Sequence, residues 1–191
     1  MSSSPTQWSA KKEIESKEID AIQQDLSLHA LTAHLLVLRG YASPKEAHRF
    51  LYPALRELPS PQTMKGMKEA CERIIEAIKA KQKIIVYGDY DVDGITSTTL
   101  LQLFFRELGV SPDRFGFFIP HRLKDGYGLQ ASCIPQIVEM GCELLVTVDC
   151  GIGSTKEVDI VNAEGIDVII IDHHIPSKEL PAARAILNPL Q

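Results

Sequence analysis

No stretch of this sequence approaches the roughly 18 to 20 consecutive apolar residues that a membrane-crossing helix needs. Met1 to Ala10 lacks the apolar core of a secretion signal, so a cytoplasmic protein with no membrane partner is expected. Cysteine is sparse. Cys71, Cys133, Cys142 and Cys150 form no Cys-x-x-Cys pair, which leaves neither a thiolate set for structural zinc nor a dithiol redox motif. Each lies in an apolar stretch, where a reduced thiol packs as a small hydrophobe. Positive charge is also in deficit: the formal net charge is -5. Without the basic field that drives non-specific duplex binding, a nucleic-acid substrate has to be recognised at a local site. Common enzyme signatures are missing too. There is no G-x-x-x-x-G-K-[ST] loop and no G-x-S-x-G elbow, and Lys156 stands where a dinucleotide-binding turn opened by Gly151-Ile152-Gly153 has its third glycine. Nucleoside-triphosphate hydrolysis, acyl-enzyme chemistry and a dinucleotide cofactor thus lose their usual marks.

What is present is an α/β rhythm. With 191 residues, 45% of them hydrophobic, the chain can bury one sizeable core and a small appendage. Residues 1–26 are polar and aperiodic apart from Trp8, and a loosely ordered lead-in is expected, with Trp8 able to pin it by its ring. Leu28, Leu31, Leu35 and Leu38 then recur at helical spacing up to Gly40, a natural C-terminal cap. Ser43-Pro44-Lys45-Glu46 reads as a capping box with proline at the first helical position, opening a short helix through Phe50. Pro53, Pro59 and Pro61 mark a connector. Met67, Cys71, Ile74, Ile75 and Ile78 describe one apolar face of a longer helix ending near Lys81.

Beyond that point the rhythm changes. Ile84 to Tyr87, Phe115 to Ile119, Leu144 to Val148 and Val168 to Ile171 are short, nearly continuous apolar runs, as expected of strands covered on both faces. Between them lie helical stretches, Ile95 to Leu108, Ser132 to Met140 and Thr155 to Glu164. This alternation predicts an α/β fold: a doubly wound, mostly parallel sheet with helices on both faces, preceded by N-terminal helices. The division is expected at residues 1–62, a lead-in and helical segment, and 63–191, the α/β domain.

Ligands of open parallel sheets bind outside the carboxyl ends of the strands, and those ends are strongly acidic here. The first strand runs into Asp89-Tyr90-Asp91-Val92-Asp93-Gly94, the third into Asp149-Cys150-Gly151, and the fourth into Asp172-His173-His174. In an extended segment Asp89, Asp91 and Asp93 point to the same side until Gly94 lets the chain turn. Any one strand-end aspartate can equally be a helix N-cap. A convergent set is self-repelling and costly to desolvate without compensating cations. Oxygen ligands with an imidazole favour Mn²⁺, with Mg²⁺ also suited. Two such ions can activate a water and steady both oxygens of a phosphoester displacement, so phosphoester hydrolysis is the reaction class expected.

The motifs carry a resemblance. Asp172-His173-His174 resembles the signature of the DHH phosphoesterases, and Asp91-Val92-Asp93 and Val148-Asp149-Cys150-Gly151 resemble its first and second motifs. Within that superfamily the chain is similar to the RecJ exonucleases over Tyr87 to Ser97, Ile119 to Arg122, Asp125 to Leu129, and Leu180-Pro181 leading to Asn188-Pro189. Leu38-Arg39-Gly40 and Phe50 to Pro53 extend the likeness towards the N-terminus. The resemblance implies processive 5′-to-3′ removal of nucleotides from single-stranded DNA in recombination and repair, with Mn²⁺ or Mg²⁺ in a two-metal site and repair or replication proteins as further partners. By position it implies Asp91, Asp93, Asp149 and His173 as catalytic metal ligands, Asp149 bridging, and Asp89 and Asp172 as ligands or orienters of ligands. His174, expected to point away from His173, then contacts the scissile phosphate or the attacking water, or is a hydrogen-bonded packing histidine.

His121, Arg122, Lys124 and Tyr127 form a basic and aromatic loop after the second strand. A guanidinium can pair with phosphate and a tyrosine can stack a base; otherwise the loop is solvated and Tyr127 packs locally. Thr96 and Ser97 are expected to cap the following helix or else to meet a phosphate. Members of the family extend well beyond the match to Asn188-Pro189, so a chain ending at Gln191 is expected to be a fragment or a short product that alone binds metal weakly and degrades DNA poorly. The alternatives are a DHH phosphoesterase of short oligonucleotides or small nucleotides, and a non-catalytic scaffold, against which the intact aspartates and histidines count.

Overall fold

The computed structural model describes residues 16–191, so the expected lead-in up to residue 15, Trp8 included, lies outside the described residues. The chain divides into two compact units, Met1–Pro59 and Ser60–Gln191. In the first, α1 (Ser16–Leu26) is a helix where the polar sequence predicts loose structure. Its apolar positions are few, but Ile19, Ile22 and Leu26 fall on one face, and Ile22 is buried with Ala33, Leu36 and Ala47. Those partners belong to α2 (Ala30–Leu38) and α3 (Pro44–Leu51). The predicted capping box opens α3: Ser43 Oγ accepts the Glu46 N–H at 3.3 Å, and the Glu46 carboxylate accepts the Ser43 N–H at 3.1 Å.

In the second unit, α4 (Met67–Lys79) precedes β1 (Ile84–Gly88), α5 (Val92–Glu107), β2 (Phe115–Phe118), α6 (Ile134–Glu139), β3 (Leu144–Val148), α7 (Thr155–Ala163), β4 (Asp167–Ile171) and β5 (Ala185–Leu187). The five strands pair in the order β2-β1-β3-β4-β5, all parallel. Alternation along the strands feeds two cores. Ile85, Tyr87, Leu145, Val168 and Ile170 pack under α6 and α7 through Ile134, Ile137, Val158 and Val161. Ile84, Val86, Leu144, Val146 and Ile169 pack on the opposite face, beneath Ala70 and Ala77 of α4 and Phe105 of α5. The sheet is thus wound on both sides. Its strand order reverses between β1 and β3, the position at which such sheets bind ligands.

Met67, Ile74 and Ile78 of the expected α4 face pack against the core beside the buried Ala70, Arg73 and Ala77, whereas Ile75 and Cys71 are exposed; Cys133, Cys142 and Cys150 are buried thiols. The turn of α4 is set by Arg73, whose Nε donates to Asp167 at 2.5 Å and whose Nη1 donates to Gln82 at 2.8 Å. Asp167 is half-exposed and can rehydrate if its partner is lost. Arg73→Ala is therefore expected to cost about 2 kcal/mol in urea unfolding, less than the roughly 3 to 5 of a fully buried pair; a value within a few tenths of zero would show that the pair contributes nothing.

Candidate metal centre

The acidic side chains come from the carboxyl ends of three hydrogen-bonded neighbours, β1, β3 and β4. After β1, Asp89 is 1% exposed, and its Oδ1 has no hydrogen-bond partner among the described residues. Burial raises its carboxyl above the ordinary aspartate range, only partly offset by the Tyr90 N–H. Asp91 is the N-cap of α5: its Oδ1 accepts the N–H groups of Asp93 and Gly94 at 2.9 and 3.1 Å. The Gly94 N–H leads the effects that hold its carboxyl below the usual range.

Asp149, just past β3, sits in the left-handed region at φ 60°, which aspartate and asparagine tolerate better than most residues. Its N–H donates to the Ile171 carbonyl at 2.9 Å, tying the turn to β4. Burial, and then the adjoining Asp91 carboxylate, push the Asp149 pKa up to about 6. Two acids held side by side have their titrations forced apart. Gly151 completes this turn at φ 107°, where a Cβ would meet Thr147 Oγ1 at 2.6 Å; that hydroxyl donates to the Cys150 carbonyl.

Asp172, just past β4, is buried with both oxygens satisfied. Oδ2 accepts the Ile152 N–H at 3.0 Å, and Oδ1 accepts the N–H groups of His173 and His174 at 2.7 and 3.1 Å and meets His174 Nδ1 at 2.7 Å. Burial by itself raises the carboxyl, but these donors outweigh it and hold it below the ordinary range. His173 Nε2 lies 3.0 Å from Asp149 Oδ1. Two ligand groups result: one atom each from Asp89, Asp91 and Asp149, and one each from Asp149, His173 and His174, lie within 4.8 Å of one another. Asp149 belongs to both.

The model of the DHH family, N-terminal domain, matches residues 83–191, which include every one of these side chains. The chain belongs to the DHH family. It is 40% identical to the single-stranded-DNA-specific exonuclease RecJ of Bacillus subtilis over 191 residues, all of this chain and 24% of that protein. With RecJ of Escherichia coli the identity is 40% over 162 residues, 85% of this chain and 27% of the relative. The chain thus spans about a quarter of the length of these curated relatives. Among solved structures, an exonuclease RecJ bound to manganese superposes with a TM-score of 0.61 at 38% identity, covering 69% of this chain and 32% of that one. RecJ of Thermus thermophilus in complex with Mn²⁺ gives 0.62 at 29% identity, covering 92% and 24%.

The DHH site passes a chemical test for a divalent cation. Asp89 offers a buried oxygen with no partner among the described residues, and the set mixes hard carboxylate oxygens with imidazole nitrogen, a donor combination suited to Mn²⁺ and tolerable for Mg²⁺. The geometry also revises several expectations. Asp93 joins neither group: because Asp91 caps α5, the helix begins at Val92 and the extended alternation ends there. Asp93 instead lines a groove of about 330 Å³ with Ser97, Asp149, His173 and Pro189. Gly94 does not turn the chain but lies inside the first turn of α5. Thr96 does not cap; its hydroxyl donates back to the Val92 carbonyl at 2.7 Å. Asp172, with both its oxygens occupied, is placed to orient the histidines. His174 does not diverge from His173 as adjacency predicts; both reach the second ligand group.

The loop after β2 splits. His121 and Lys124 join neither ligand group; the His121 N–H donates to Asp125 at 2.6 Å, closing a local turn. Arg122 stands 5.2 Å from the Tyr90 ring centroid, and its charge offsets a little of the burial that raises the Asp89 carboxyl. The Tyr127 hydroxyl lies 3.0 Å from the His174 ring nitrogens. The sequence marks two supports only as members of stretches that resemble RecJ, with no role of their own: Asn188, whose Nδ2 donates to the His174 carbonyl at 2.9 Å, and Tyr87, whose buried hydroxyl donates to the Gly128 carbonyl at 2.9 Å. Tyr87 reads as one more apolar strand residue, and no local spacing ties Asn188 to the histidines.

Proposed function

We propose that this chain carries the metal centre of a 5′-to-3′ exonuclease of single-stranded DNA acting in cytoplasmic recombination and repair, with Mn²⁺ or Mg²⁺ as cofactor. The sharing of Asp149 between two three-residue ligand groups is the observation that carries the reading, since it is the arrangement a pair of bridged cations requires. Asp89, Asp91 and Asp149 would hold one ion, and Asp149, His173 and His174 would hold the other. Two cations so held supply Lewis acidity and a water activated at neutral pH. The protein's part is positional. Asp91 fixes the start of α5 while presenting its free oxygen, and Asp172 locks the backbone and ring of His174. Arg122, beside the acidic groups, would pair with a phosphate of the strand, and the half-exposed Tyr127 ring can take a base. Asp93 and Ser97 would line its path.

The reading is tested with three probes at fixed Mn²⁺: a long single strand with a free 5′ end, the same strand in a duplex, and a dinucleotide. Weak metal binding by the chain, with slow stepwise release of nucleotides from the single strand that ceases in Asp149→Asn, is the expected result. Preference for the dinucleotide would overturn the substrate class, and absence of Mn²⁺ binding would overturn the metal centre itself.

A further inference from the structure

A cavity of about 360 Å³ opens beside the metal centre, between the loop that carries Tyr127 and the start of α7, with Asp172 and His174 on its border. Its size lies at the lower end of the roughly 300 to 1,000 Å³ of small-ligand sites and suits one nucleoside, not a run of them. Tyr127 and the buried Ile152 supply apolar wall, and the exposed Ile175 adds to it.

Two of the polar groups here belong to a motif that does not close. Ser154-Thr155-Lys156-Glu157 has the same S-x-x-E letters as Ser43 to Glu46, which form the capping box of α3. At α7 the box stays open. Ser154, at ψ 50°, is turned out of the extended conformation and its side chain makes no capping bond, while its N–H donates to the Gly151 carbonyl at 3.0 Å instead of to Glu157. Both side chains line the cavity. Gln130 lines it too, and because its Nε2 donates to the Tyr127 carbonyl, the end left over is the acceptor Oε1.

Charge decides which part of a nucleotide belongs there. Asp172 and Glu157 are on the wall, and among the described residues no lysine or arginine joins them. A phosphate would face two carboxylates without a countercharge, so the fitting occupant is neutral and rich in hydrogen-bond donors. A base edge answers that description. Guanine presents N1–H and its N2 amino group side by side, which one carboxylate can accept together, whereas thymine sets a single N3–H between two carbonyl oxygens that a carboxylate repels.

We propose that this cavity receives the base of the nucleotide whose phosphate lies at the metal centre, held against Tyr127 and read by Glu157, which favours guanine over thymine. The proposal deepens the nuclease reading and rests on it for which nucleotide is held.

The test follows the backbone amides of the ¹⁵N-labelled chain in Mg²⁺ while deoxyguanosine monophosphate, thymidine monophosphate or inorganic phosphate is added. Deoxyguanosine monophosphate is expected to shift the amides of Ile152, Ser154 and Glu157 and to bind about 10-fold more tightly than thymidine monophosphate, the margin of a hydrogen bond to a charged group. Inorganic phosphate is expected to leave those amides in place. In Glu157→Gln the side-chain amide donates as well as accepts and can pair with either base, so the two nucleotides are expected to bind within about 2-fold of each other. Unmoved amides, equal binding of the two nucleotides by the unaltered chain, the same shifts from phosphate alone, or a preference that survives Glu157→Gln would each overturn the proposal. Degradation of single strands separates it from the nuclease reading. Nucleotide release that ignores guanine and thymine, with silent amides, would remove the base site and leave the nuclease; base-selective shifts in a chain without activity on any strand would keep the site and remove the nuclease.

Discussion

Asp149→Asn is expected to make the metal-free protein more stable while destroying its affinity for Mn²⁺. In the folded chain the Asp149 carboxyl titrates at about 6, against an ordinary value of 3.8, because burial and the Asp91 carboxylate both oppose its charge. The ionised form is therefore penalised on folding. The sign follows from proton linkage: the folded state binds the extra proton, so the penalty is complete above about pH 6, shrinks as pH falls towards about 4, and is gone below the unfolded value. An asparagine carries no such charge and accepts the left-handed backbone at φ 60°. At about pH 7 the variant should gain about 1 to 3 kcal/mol in EDTA, and its advantage should fade as the solution is acidified from about 6 to about 4. Manganese reverses the order. Asp149 contributes to both ligand groups, so calorimetry should show affinity down by at least about 100-fold, beyond the loss typical of residues that merely support a ligand. A variant that is destabilised without metal, or that still binds Mn²⁺ normally, contradicts the strained-carboxylate account.

Gly94→Ala is expected to run against helix propensity. Within an ordinary helix this change stabilises by up to about 1 kcal/mol, but a Cβ on Gly94 would lie 2.5 and 2.6 Å from the backbone N and C of Asp89 and closer still to its carbonyl oxygen. Backbone cannot rotate away as a flexible side chain can. The start of α5 must lift from the end of β1, and the cost is expected to be about 3 kcal/mol in chemical denaturation. Since the Gly94 N–H is one of the donors holding Asp91, Mn²⁺ affinity should drop with stability. A more stable variant would show that α5 shifts freely and that the close approach constrains nothing.

Much of the domain was legible because strands buried on both faces leave uninterrupted apolar runs. Leu144 to Val148 is β3 residue for residue, and β1, β2 and β4 differ from their runs by one residue at an end. β5 escaped because Ala185-Ile186-Leu187 is too short to show a period, and α1 because three apolar positions in a polar helix do not stand out from a linker. At the site, the acids that follow strand ends were legible as a group, since parallel strands present their carboxyl ends together. Their individual duties were not. Whether Asp93 continues the alternation depends on Asp91 turning its oxygen onto two backbone N–H groups, and such a cap is equally compatible with the same letters in either arrangement. Likewise the contact between Tyr127 and His174 spans 47 positions, and no local pattern encodes it.

The parallel pairing of β1 with β3, Gly88 beside Val148, and of β3 with β4, Val148 beside Ile171, makes the sheet a ruler for the metal centre. Adjacent strands stand about 4.8 Å apart, so the separation between the groups that leave them is dictated by backbone hydrogen bonds before any rotamer is chosen. Sliding β3 by a single residue against its neighbours would exchange the two faces of the strand, carrying Asp149 out of both ligand sets at once. Protection of the β3 amides against hydrogen exchange is thus a direct gauge of how faithfully the spacing between the two ligand groups is kept.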